Sequence, residues 1–152
     1  MKLAEALMQR ADHQKKIAQI KERLLGNALV QDGETPAEDP TELMSTLEAL
    51  TTQLQELIIR INRTNSATII TDNETFADLL TQRDMLKASH KIYSDLANAA
   101  SEVRDRYSRS EIKYVSTVKV PDIRKKVDSL AKRFREVDTI IQEYNWKTEL
   151  SA

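Results

Sequence analysis

Two polar clusters hold most of the side chains in this sequence that could do chemistry. Arg60, Asn62, Arg63 and Asn65 close an apolar-periodic stretch with no acid between them. Guanidinium forks and amides are good donors to phosphate or carboxylate oxygens, so this cluster could grip an anion. The competing reading is that cations and asparagine suit the negative end of a helix. In the second cluster, Arg106, Tyr107, Ser108, Arg109 and Ser110, with Lys113 and Tyr114, interleave bases, hydroxyls and aromatics. That composition could hold a nucleic-acid backbone and stack a base. Asp105 and Glu111 dilute it, and contacts within the chain or between subunits outweigh nucleic acid as its expected use.

The remaining candidates point away from catalysis. His13 and His90 are the only histidines, and neither has a carboxylate or second histidine three or four residues away. A helical two-histidine metal motif is therefore absent, and no metal or cofactor is expected. Glu34, Glu38, Asp39 and Glu42 lack the ordered spacing of a calcium loop and read as a solvated acidic segment. There is no cysteine, which excludes disulfides, thiolate zinc sites and thiol nucleophiles. No glycine-rich phosphate loop or nucleophile elbow occurs. Arg83 falls on the core-facing register of its helix, where breaking a buried pair would cost roughly 3–5 kcal/mol; it sets helix or subunit register, or reaches out to the rim. Trp146, close to Tyr144, reads as an anchor for the C-terminal end, in the core or at an interface.

The elements that would position these groups are helices. Leu43, Leu47, Leu50, Leu54, Leu57 and Ile61 alternate spacings of four and three, which keeps one apolar stripe facing a partner helix. Asp39-Pro40-Thr41-Glu42 precedes them as a carboxylate cap, a proline at the first helical position and an acid in the first turn. The predicted helix spans residues 40–65, roughly 39 Å at ~1.5 Å per residue. An earlier helix carries Leu3, Leu7, Ala11, Ile17, Ile20, Leu24 and Leu25, interrupted by Arg10 and Gln14, and stops near Gly26-Asn27, residues that tolerate a left-handed helix stop. Asp32-Gly33 marks a turn in the connection between them. A third helix follows a capping box read from Thr71 and Glu74. A fourth follows Pro121 with the stripe Ile123, Val127, Leu130, Phe134, Val137, Ile141 and Tyr144. The β-formers between Ile112 and Val120 suggest a short strand or extended arm.

Composition bounds the rest. The chain has 152 residues, 31% of them charged with both signs present, a net charge of −1, two glycines and three prolines. This balance suits solvated helix faces rather than a generally basic nucleic-acid binder. The opening Met1-Lys2-Leu3-Ala4-Glu5 is unlike a signal peptide, and no apolar run approaches the ~18 residues of a membrane span. The expectation is a cytoplasmic protein folding as one helical domain over 1–152.

Four stretches together resemble the bacterial family labelled septicolysin: Met1-Lys2-Leu3-Ala4-Glu5-Ala6-Leu7, Arg60-Ile61-Asn62-Arg63-Thr64-Asn65, Arg106-Tyr107-Ser108-Arg109-Ser110-Glu111-Ile112-Lys113 and Asn145-Trp146-Lys147-Thr148-Glu149-Leu150. The resemblance covers nearly the whole chain, including Pro36-Ala37-Glu38-Asp39-Pro40. It implies a small, self-associating helical bacterial protein and transfers no catalytic residues. The family label implies lysis, which the absence of a secretion signal or pore-forming segment does little to support. The resulting expectation is an all-α protein: a four-helix antiparallel bundle or two long coiled-coil-like hairpins, with a short β element from the 29–34 and 112–120 connections. Its expected role is non-enzymatic and structural, in a homo-oligomer, with nucleotide or nucleic-acid binding through the basic arm as the alternative.

Overall fold

Four helices dominate the computed structural model, which describes residues 1–102 and 113–152. In chain order they are α1 (Leu3–Gly26), α2 (Pro40–Ala67), α3 (Phe76–Ser101) and α4 (Val120–Lys147), with strands β1 (Ile69–Thr71) and β2 (Glu74–Thr75) between α2 and α3. The protein is all-α with one short β element. It divides into two compact units, Met1–Thr75 with Tyr144–Ala152, and Phe76–Glu143.

The first unit is built on the α1–α2 hairpin. At the start of α1, the Lys2 backbone N–H donates to Glu5 Oε2 at 2.7 Å, satisfying a donor beside the helix start. The helix stops where Gly26-Asn27 suggested, but by a different device. Asn27 has φ −109°, outside the left-handed region; its side-chain amide donates to Arg23 O at 2.9 Å instead. Its Oδ1 accepts from the Glu38 backbone N–H at 3.1 Å, and Arg23 forks onto the Glu38 carboxylate, with Nε 3.1 and 3.0 Å from its two oxygens. One asparagine and one ion pair thus close the connection. Within it, Glu34 N–H donates to Gln31 O at 2.9 Å across Asp32-Gly33, and Gly33 takes φ 85°, which glycine adopts without steric cost. Asp39 caps α2 by accepting from Thr41 N–H at 2.9 Å, with Pro40 in the first turn.

Packing along this hairpin is uneven. Leu3, Ala4, Ala6 and Ile20 of α1 are buried, as are Leu43, Leu57 and Ile61 of α2. Between these ends lies a waist with no buried residue, from 7 to 19 on α1 and from 44 to 56 on α2. Leu47, Leu50 and Leu54, the middle of the heptad stripe, are only half-buried. The Arg10 and Gln14 interruption of α1 falls at this waist.

The β element lies in the second connection. Residues 29–34 and 113–119 form no strand, and 112 is outside the described residues. Ile69 instead pairs with Thr75 and Thr71 with Glu74, antiparallel, across Asp72-Asn73. Thr71 and Glu74 therefore meet as a hairpin pair rather than a capping box, and α3 begins at Phe76. β-Branched residues flanking a two-residue polar turn find a partner locally, whereas the β-formers after 112 need a distant one.

In the second unit, Phe76, Leu79, Leu86 and Ala97 of α3 and Leu130 and Ile141 of α4 are buried. Arg83 is half-buried, 3.3 Å from Asp84 and 3.6 Å from Asp138 of α4, so its charge is paired at the core-facing register. Lys126 of α4 sits 4.5 Å from the centroid of the Tyr93 ring, a cation–π contact between the same helices.

Candidate functional site

The first polar cluster divides between two settings in the first unit. Arg60 Nε donates to Ser151 O at 2.9 Å. Thr64, one turn on and 3% exposed, donates its hydroxyl to Arg60 O at 2.8 Å and accepts from Ser151 N–H at 3.0 Å. Nearby, the tail is tied to the N-terminus. Leu3 N–H donates to Thr148 O and Leu150 N–H to Met1 O, both at 2.9 Å, framing an antiparallel bridge between Lys2 and Glu149. The Glu149 carboxylate receives Lys2 Nζ at 2.6 Å and the terminal amine at 3.2 Å. These hydrogen bonds from Lys2 and the amine hold its carboxyl below the usual carboxylate range. Both chain ends are thereby clasped to the C-terminal part of α2.

Of the two settings expected for Trp146, the core is not the one it occupies. Trp146 is 57% exposed, outside the core, while Asn145 and Leu150 are buried. Asn62 and Arg63 are exposed, and Asn65 is half-buried with its Oδ1 unpaired among the described residues. Nor do Arg60 and Arg63 neutralise the helix end: α2 continues to Ala67 and has no base in its last turn. Arg60 instead lies where the clasp meets the waist of the hairpin.

At that waist, Gln9 and His13 of α1 and Gln53, Glu56, Leu57 and Arg60 of α2 line one cleft of about 190 Å³, with Met1 at its edge. His13 Nδ1 is buried and has no hydrogen-bond partner among the described residues. Its α1 residues lie beside the Arg10 and Gln14 interruption of the stripe without being part of it, and its α2 half depends on the register between helices. His90 lines a separate cleft of about 250 Å³ in the second unit, with Lys87, Ala131, Phe134 and Arg135. Among the described residues no group of three or more histidine or acidic side chains could hold a metal. Of the basic arm, Lys113 is exposed, while Arg106, Tyr107, Ser108, Arg109 and Ser110 lie outside the described residues. No described helix is long and apolar enough to cross a membrane.

Residues 10–150 match a family of unknown function, DUF6847, and the chain belongs to that family. Among solved structures, a functionally unknown conserved protein from Corynebacterium diphtheriae is 49% identical, with 99% of each chain covered and a TM-score of 0.93. No curated protein matches the chain.

Proposed function

We propose that this member of the family is a non-enzymatic, cytoplasmic interaction protein that assembles with copies of itself through α2. The observation that carries this reading is that the apolar face of that helix is wider than its first stripe, with Met44 and Ile58 flanking Leu47 and Leu54 on one side. Met44, Leu47, Leu54 and Ile58 recur at helical spacing, interrupted only by Thr51. Met44 is 48% exposed and the other three are half-buried. Covering such a side chain contributes roughly 1 kcal/mol or more. Eight of them in a symmetric pair of hairpins would together offset a large part of the about 4–15 kcal/mol that association costs. A second copy is a fitting occupant because a heptad face is self-complementary in shape, and the chain's balanced charges do not repel a copy of themselves.

The test is solution mass by light scattering, for the natural chain and for Met44→Glu. Met44 is exposed enough for its replacement to leave the hairpin folded, as circular dichroism would verify. Loss of mass with helicity retained supports assembly through this stripe. An unchanged oligomer overturns the role of the stripe, and a natural chain that is monomeric at all concentrations overturns self-assembly. The rival reading, nucleic-acid binding by the basic arm, rests on the arm's composition; salt-dependent binding lost on replacing Lys113 together with Arg106 and Arg109 would favour it. The lytic activity suggested by the septicolysin resemblance would be checked by liposome leakage.

A further inference from the structure

We propose that the cleft at the waist of the α1–α2 hairpin binds a small zwitterion of the α-amino acid class, its carboxylate on Arg60 and its ammonium group on Glu56. Glu56 and Arg60 stand one turn apart on α2, a spacing at which acid and base commonly pair. Here no ion pair joins them. Arg60 is turned toward the tail, its Nε given to Ser151 O at 2.9 Å, which leaves its terminal guanidinium nitrogens without a partner among the described residues. The Glu56 carboxylate likewise has no described partner. Opposite charges that share a cleft without neutralising each other suit a ligand carrying both charges: a simple anion would meet Glu56, and a simple cation would meet Arg60.

Three further features favour this class of ligand. His13 Nδ1 is buried without a hydrogen bond in the same cleft, and buried polar atoms in folded proteins are rarely left so. The amides of Gln9 and Gln53 supply additional donors and acceptors, while Leu57 offers an apolar contact. The cleft is small, about 190 Å³. That suits a small amino acid and falls below the about 300–1,000 Å³ typical of larger organic ligands. The terminal amine of Met1 does not compete for the carboxylate, because it is held by Glu149.

The experiment titrates the full chain with L-alanine and L-leucine, and with propionate and propylamine as half-ligands carrying one charge each. Calorimetry reads affinity, and the imidazole nitrogen resonances of His13 and His90 report the location. At least one amino acid is expected to move the His13 signals and leave those of His90 in place, with either half-ligand binding at least about tenfold more weakly. Glu56→Gln, which removes the charge and keeps the shape, is expected to weaken that amino acid by a similar factor. Absence of any His13 response at millimolar concentration overturns the proposal and leaves a water-filled cleft. So does equal binding of propionate and L-alanine, or an unchanged affinity in a folded Glu56→Gln variant.

Discussion

Replacing Thr64 by valine isolates what the terminal clasp contributes. The change keeps the shape of a side chain that is 3% exposed and removes only its hydroxyl. Three interactions go with it: donation to Arg60 O at 2.8 Å, acceptance from Ser151 N–H at 3.0 Å and a hydroxyl–hydroxyl contact with Ser151 Oγ at 3.0 Å. A buried hydrogen bond contributes about 0.5–1.5 kcal/mol net, and a buried donor left unsatisfied costs about 1–3 kcal/mol. Ser151 is only half-buried, so water can recover part of the loss, and about 1–2 kcal/mol is expected. For a chain of this size that lowers Tm by roughly 2–8 °C. The local readout is sharper. Amide exchange at Ser151 and Leu150 should accelerate in Thr64→Val, while Thr64→Ser, which retains the hydroxyl, keeps Ser151 protected. Unchanged exchange at both amides together with an unchanged Tm would refute the clasp as a stabilising element.

Three further predictions follow from the same contacts. Asp39→Ala removes the acceptor for Thr41 N–H at 2.9 Å and should cost about 0.5–2 kcal/mol, read as a lower urea midpoint with unchanged slope. The carboxyls of Glu149 and Glu38 both lie below their ordinary range, through hydrogen bonds from Lys2 and the terminal amine and from Arg23 respectively. The stability they bring is complete above the unfolded-state value near about 4.3 and is lost as pH falls through the lowered folded values. Thermal melts from neutral to acid pH should show that loss reduced in Glu149→Gln. A double-mutant cycle on Arg83 and Asp138, 3.6 Å apart and both partly exposed, should return a coupling of about 1 kcal/mol or less in urea unfolding.

The parts of this fold that were readable in the sequence are those set by neighbours along the chain. Asp39-Pro40 named the start of α2 because a cap and its recipient amide are two residues apart. Gly26-Asn27 marked the end of α1, although Asn27 stops the helix with its side chain rather than a left-handed backbone. The arginine at position 83 was placed correctly on the packed register, but its partner Asp138 lies on another helix. The β element went to the wrong connections because β propensity without a partner says little, and Ile69 and Thr71 had theirs only a few residues away. The clasp gave no local signal: Thr64 and Ser151 are 87 residues apart. The cleft gave no local signal either: Gln9 and His13 only neighbour the broken stripe, and the register of the hairpin is what places Glu56 and Arg60 beside His13.

In the proposed assembly α2 meets a second copy of itself. Light scattering at moderate salt across a range of concentrations tests this most directly. The expected result is a stable multiple of the chain mass that falls toward a folded monomer in Met44→Glu. A natural chain that stays monomeric while fully helical would contradict it.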